Sequence, residues 1–154
     1  MDRILGLDIG DRRVGIALSD ALGWTAQGVE TFTRESDTEI DDCLARVVEL
    51  AQKNGVRRIV MGLPRNMNGT LGPQAQKVLA FAEALKQRFD GELDFIDERL
   101  TTVSAQRMLV EADVSRKKRK QVVDKIAAVL ILQAYLDSGA ANRVPAGFPK
   151  EEEL

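Results

Sequence analysis

Two rhythms of apolar and polar positions divide the chain. Up to Thr33 the apolar runs are short and separated by turn residues: Arg3 to Asp8, Val14 to Leu18 and Gln27 to Thr33, with "GDRR" and "DALGW" between them. Such runs predict three strands with short links, an antiparallel meander. From Ile40 the spacing turns helical. Leu44, Val47, Val48 and Ala51 follow behind Ser36 and Glu39, a capping-box pair, and Asn54-Gly55 ends the helix. Arg58 to Leu63 then predicts a strand, and Gln74 to Phe89 a helix with Ala75, Val78, Ala82, Leu85 and Phe89 on one stripe. Glu92 to Asp97 predicts a fifth strand. Thr101 or Thr102 caps a helix with Ala105, Met108, Leu109 and Ala112 inward, "VSRKKRK" is a basic link, and Gln121 to Leu136 is the last helix. Later strands that alternate with helices argue for parallel pairing and α/β layering.

The chain has 154 residues, 44% of them hydrophobic, which suits one domain with a real core. That domain is expected over residues 1–138. Residues 139–154, with Gly139, Pro145, Gly147 and Pro149, are expected to form a flexible tail. The net charge of −2 becomes +1 without Glu151, Glu152 and Glu153, so any positive field on the body must be local. Cys43 is the single cysteine, which rules out an intrachain disulfide and suits a reducing cytosol; it is expected in the core. Asp2, Arg3 and Asp8 speak against a secretory signal. The longest apolar run, Ile126 to Leu132, is too short for a membrane helix.

The absence of histidine changes the picture most. It removes His general bases, Ser-His-Asp and Cys-His nucleophile systems and His-ligated zinc. Any chemistry must come from carboxylates, Lys, Arg, hydroxyls or a hard cation. Three acids then stand out. Asp8 closes the first strand, where a turn role would also account for it. Asp97 and Glu98 close the fifth, and strand carboxyl ends are where open α/β sheets gather functional groups. Asp124 falls in line with Ala127, Ala128, Ile131 and Tyr135 on a helix apolar nearly all round. A carboxylate there is costly unless it is paired or binds a metal, although its place in the first turn also favours the helix dipole. Oxygen ligands alone point to Mg²⁺ or Mn²⁺ and to phosphoryl chemistry.

"GLDIGDRRVGIALSD", "MGLPRNMNGTLGPQAQKV", "DERLTT" and "VSRKKRKQVVDKIAAVLILQAYLD", in this order from about Ile4 to Asp137, resemble the YqgF family, also called RuvX. These are bacterial ribonuclease H-like proteins described as Holliday junction resolvases and as nucleases maturing the 5′ end of 16S ribosomal RNA. The resemblance implies an α/β ribonuclease H-like fold. Its mixed five-stranded sheet has three antiparallel N-terminal strands, two parallel strands and helices on both faces. It also implies that Asp8, Glu98 and Asp124 are the catalytic metal ligands. Arg12 stands where the family often has Lys, which keeps the charge and changes the geometry.

Around these acids, Arg116, Lys117, Lys118, Arg119 and Lys120 precede the Asp124 helix and are expected to hold a nucleic-acid backbone. Arg12 and Arg13 follow Asp8, and one of them is expected to brace the scissile phosphate. "GLPRNMNGTLG" brings Gly62, Gly69 and Gly72, which allow close approach of backbone, ahead of a helix N-terminus suited to a phosphate. Trp24 is expected to pack in its hairpin. Aromatics are 5% of the chain, so contacts to backbone rather than stacked bases are expected. The leading expectation is a metal-dependent endonuclease acting on structured nucleic acid, foremost the 5′ end of precursor 16S rRNA. Four-way DNA junctions are the alternative substrate. A non-catalytic ribosome-assembly binder is a further alternative. An ATP-dependent phosphotransferase is another, since "DIGDRRVGIALSD" also looks like the phosphate loop of the actin and sugar-kinase group, which needs two such domains. A homodimer is compatible with the sequence, which leaves the oligomeric state open.

Overall fold

The computed structural model describes residues 2–35, 40–103 and 116–150, with side chains from 124 onward in the last stretch. Five strands form one sheet in the order β3-β2-β1-β4-β5: β1 (Ile4–Ile9), β2 (Arg13–Ser19), β3 (Ala26–Thr33), β4 (Arg58–Leu63) and β5 (Glu92–Asp97). The first three pair antiparallel, and β4 and β5 add parallel to β1. The helices are α1 (Ile40–Lys53), α2 (Pro73–Lys86) and α3 (Arg116–Asp137). The mixed five-stranded sheet expected from the sequence is the sheet observed.

Strand residues alternate between the two faces. On one face Leu5, Leu7, Val14, Ile16, Ile59, Met61 and Leu63 meet the apolar sides of α1 and α2. On the other, Ile4, Ala17, Val60 and Ile96 meet Ala127, Ala128, Ile131, Leu132 and Tyr135 of α3. Cys43, on α1, is fully buried as expected, and burial pushes its thiol up to about 11.

Two local expectations are corrected. The basic run Arg116 to Lys120 is not a link but the opening of α3. Lys and Arg are good helix formers, and neither Gly nor Pro interrupts the run. Trp24 does not pack in its hairpin: it is 72% exposed. The turn closes through its backbone instead. The Trp24 N–H donates to Asp20 Oδ1 at 2.7 Å, Gly23 N–H donates to Asp20 O at 3.2 Å, and no wall forms for the ring. The Ser36–Glu39 capping box and the helix residues Ala105, Met108, Leu109 and Ala112 lie outside the described residues.

Residues 139–150, read from sequence as a flexible tail, make specific contacts. Arg58, at the start of β4, donates through Nη1 to the carbonyls of Ala140 (3.1 Å) and Ala141 (3.3 Å), and through Nη2 to that of Arg143 (2.9 Å). Phe148 meets Phe95 edge to face with ring centroids 5.3 Å apart. Beneath lies a buried polar pair: the Tyr135 hydroxyl donates to Asp94 Oδ2 at 2.6 Å. Burial, reinforced by Asp94, raises the Tyr135 pKa. Among the described residues no helix is long and apolar enough to cross a membrane.

Candidate active site on the α3 face of the sheet

The face that receives α3 is nearly flat at its centre because glycines occupy it. Gly6, Gly15 and Gly62 stand inside β1, β2 and β4, and each lies under α3 or the turn after β5. A methyl group on Gly15 would sit 2.0 Å from the backbone oxygen of Asp124. That oxygen belongs to a helix backbone and cannot rotate aside. Only glycine at 15 lets α3 reach this depth, and this depth is what brings Asp124 to the sheet.

Asp8 stands directly opposite Gly15 in the β1–β2 pairing and is 4% exposed. It lies two residues beyond Gly6, whose face is covered by Ala128 and Leu132, so its side chain is on the α3 face too. Across the other edge of β1, Met61 pairs with Leu7, which brings Gly62, one residue on, level with Asp8. Above Gly62 lies the Glu98 carboxylate: a methyl there would meet Glu98 Oε1 at 2.7 Å and Ile131 Cδ1 at 2.5 Å. Asp8 therefore has Asp124 over the strand on one side and Glu98 over the strand on the other, with adjacent strands about 4.8 Å apart.

Asp97 and Glu98 divide the end of β5 between them. Asp97 turns away and holds Arg99, accepting from its backbone N–H at 2.9 Å and from its Nη2 at 2.6 Å; Arg65 Nε lies 3.8 Å from it. Arg99 in turn reaches the carbonyl of Met67 at 3.3 Å, and Arg65 that of Gly69 at 2.9 Å. Asp97 is thus the anchor of the loop 64–72. Burial alone would raise its pKa, but the hydrogen bonds from Arg99 and the charges of Arg99 and Arg65 outweigh it and hold the carboxyl below its ordinary value. Glu98 opens a single 3₁₀ turn, Glu98–Leu100, closed by the Thr101 hydroxyl donating to Glu98 O at 2.8 Å.

The arginines that follow Asp8 part company. Arg13 lies on the α3 face, and its Nε donates to Asp124 Oδ2 at 2.7 Å. Arg12 leans to the other side, where Nη1 donates to Glu35 O at 3.0 Å beside an open cleft of about 730 Å³ that it lines with Arg34 and Lys77. Arg116, Lys117, Lys118, Arg119 and Lys120 enter only as helix backbone, ahead of Asp124 on α3. The first of them is about 12 Å from Asp124 along the axis, at 1.5 Å per residue.

All three acids offer oxygen, with no thiolate or imidazole beside them, so the donor set suits a hard divalent cation in its chemistry. Among the described residues, however, no three acids are gathered closely enough to hold a metal ion. One Asp124 oxygen is engaged by Arg13 instead. Sequence reasoning singled out Gly62 for close approach but missed Gly6 and Gly15, which set the depth of α3 with it. The available signal was glycine inside a strand, which marks close approach of another backbone.

The sequence has many relatives. A protein of Desulforamulus reducens named "Putative pre-16S rRNA nuclease" is 54% identical over 138 residues, covering 90% of this chain and 98% of the relative. One of the same name from Ligilactobacillus salivarius is 57% identical over 139 residues, covering 90% of this chain and 94% of the relative. Among solved structures, the fold is shared with Thermus thermophilus RuvC in complex with a Holliday junction substrate. That match has a TM-score of 0.60 at 12% identity and covers 95% of this chain and 99% of the other. The yeast mitochondrial Holliday junction resolvase matches at a TM-score of 0.52 and 13% identity, covering 90% and 79%. The sequence profile of the RuvX family, described as Holliday junction resolvase, matches residues 2–138, and the chain belongs to that family.

Proposed function

We propose that the protein is a divalent-metal-dependent endonuclease that hydrolyses phosphodiester bonds in structured nucleic acid, with the 5′ end of precursor 16S rRNA as its substrate. Asp8, Glu98 and Asp124 are its catalytic carboxylates. The observation that carries this reading is the burial of Asp8 between two glycine-floored positions, with Asp124 above one and Glu98 above the other. A fold spends strand glycines, which weaken a sheet, only where something must come close. What comes close here is a set of acids.

Asp8, Glu98 and Asp124 would hold Mg²⁺ or Mn²⁺. Two such ions would supply an activated water and neutralise charge on the phosphate. The chain's own part is positioning. The sheet fixes Asp8, the 3₁₀ turn fixes Glu98, and α3 carries Asp124 and, at its N-terminal end, the five cations. That end of a helix already carries partial positive charge, so five cations there cost stability. The same sum of charge and dipole attracts a phosphate backbone close to the acids.

The names of the relatives support the rRNA substrate. The family description and the resolvase fold favour a second reading, cleavage of four-way DNA junctions. One experiment tests both. A precursor rRNA 5′ fragment and a four-way junction are offered side by side with Mg²⁺, Mn²⁺ or EDTA to wild type, Asp8→Asn, Glu98→Gln and Asp124→Asn. The expected outcome is cleavage of the rRNA fragment, abolished by EDTA and reduced more than about a hundredfold in each variant. Groups that merely support metal ligands already cost 10- to 100-fold when changed. Full activity of any of the three variants removes that residue from the site, and preferential cutting of the junction replaces the substrate.

A further inference from the structure

We infer that Arg13 is a latch on Asp124: it competes with the divalent cation for the Asp124 carboxylate and is drawn off by a phosphate of the nucleic acid. Cation and nucleic acid therefore bind cooperatively. This inference rests on the nuclease reading above and adds a regulatory step to it.

Three observations and one chemical constraint point here. Arg13 and Asp124 are far apart in sequence, yet α3 docks so deeply over Gly15 that Arg13, two residues before Gly15 on the same face of β2, meets the Asp124 side chain. The contact is short, 2.7 Å, and half sheltered, with the two side chains 29% and 15% exposed. It uses Nε alone. Among the described residues, Nη1 and Nη2 of Arg13 make no hydrogen bond, so the outer fork of the guanidinium can still receive a phosphate. Finally, Asp124 Oδ2 cannot serve a cation fully while it accepts a charged hydrogen bond. A cation placed beside Asp124 would also stand against the positive guanidinium.

These constraints define a thermodynamic coupling. Without nucleic acid the ion must displace Arg13 from Asp124, and its affinity falls by the strength of that pair. A phosphate near Asp8 offers the guanidinium two oxygens in the bidentate geometry it prefers and frees Asp124. By linkage the cation must then tighten nucleic-acid binding by the same factor. The arrangement keeps the acids from forming a competent site until a substrate phosphate is present.

The test reads metal affinity rather than activity. Mn²⁺ is titrated calorimetrically into the full chain, with and without a saturating phosphorothioate RNA hairpin that resists cleavage. Four proteins are compared: wild type, Arg13→Gln, Arg13→Lys and Arg12→Gln. Wild type should bind Mn²⁺ weakly alone and about tenfold more tightly with the hairpin, within the usual range for coupled sites. Arg13→Gln should bind Mn²⁺ about tenfold more tightly than wild type without the hairpin and gain little from adding it. Arg13→Lys should keep the weak affinity, because its ammonium can still pair with Asp124. It should lose much of the gain, because a point charge lacks the outer fork. Arg12→Gln removes the same charge one residue away, on the Glu35 side, and should match wild type in both titrations.

Equal Mn²⁺ affinity in wild type and Arg13→Gln overturns the latch and leaves the nuclease reading standing. So does tightening of equal size in Arg12→Gln, which would reduce the effect to general electrostatics. No Mn²⁺ binding by any of the four, with or without the hairpin, overturns the metal-dependent reading together with the latch.

Discussion

The two faces of the sheet are built to opposite rules. Toward α1 and α2 the strands present large aliphatic side chains, Leu5, Leu7, Val14, Ile16, Ile59 and Met61, that fill the interval to the helices. Toward α3 the sheet presents Gly6, Gly15, Ala17 and Gly62 among Ile4, Val60 and Ile96, and at the glycines the helix rests close to the strand backbone. The first face buries much apolar surface and tolerates small shifts, since long side chains can repack. The second gains less area per residue but sets the depth of α3 almost rigidly, because backbone meets backbone. Stability and positional accuracy are thus assigned to different sides of one sheet, and the acids lie on the accurate side.

One substitution on each face should break this comparison most sharply. Gly15→Ala places a methyl 2.0 Å from the Asp124 backbone oxygen, so α3 must lift. Cleavage should fall more than about a hundredfold, with a stability loss of about 1–3 kcal/mol, the usual range for overpacking. Leu7→Ala, on the other face, should cost more stability, about 2–5 kcal/mol, yet leave turnover per folded molecule within a few-fold of wild type. Urea denaturation and cleavage assays on both variants check this. Equal losses of turnover would mean that the two faces are not specialised.

The basic opening of α3 gives a smaller effect. Replacing Arg116 to Lys120 with Ser should weaken binding of RNA and DNA alike. It should also lower the salt slope by up to about 0.9 for each lost contact on a DNA duplex. Lys77→Ser, on the α2 side, should change neither. Binding isotherms over a salt series check it, and sensitivity at Lys77 would move the nucleic acid to the wrong face.

The smallest effect concerns Asp97. Its carboxyl is held below its ordinary value in the folded chain, so its pairing with Arg99 and Arg65 stabilises fully above the ordinary carboxylate range. The contribution is lost as pH falls from there through the lowered folded value. Asp97→Asn should therefore cost at most about 1 kcal/mol at neutral pH, because the pair is partly exposed, and the difference from wild type should vanish in acid. Melting curves taken from pH 7 to well below the ordinary carboxylate range read it out.

Much of this was legible in the chain, for reasons that differ by element. The strands Arg58–Leu63 and Glu92–Asp97 carry their full pattern within a few residues, and their observed bounds match the reading. The parallel addition of β4 and β5 follows from the helices between them. Asp97 and Glu98 could not be separated by sequence, because their roles depend on where Arg65 and Arg99 reach. Arg12 and Arg13 looked equivalent as neighbours, yet one leans toward Glu35 and the other toward Asp124. Trp24 was misjudged because an aromatic ring in a turn packs only if the fold supplies a wall. The start of α3 was misjudged because a block of like charge resembles a loop, although its residues favour helix.

Cys43 has a practical consequence. Its thiol is enclosed between α1 and the aliphatic face of the sheet, and its pKa of about 11 leaves almost no thiolate at neutral pH. A thiol reagent can therefore modify the native protein only when the α1 layer opens. Since no other cysteine competes for the reagent, the labelling rate is a clock for the breathing of one side of the molecule, readable without any engineered probe.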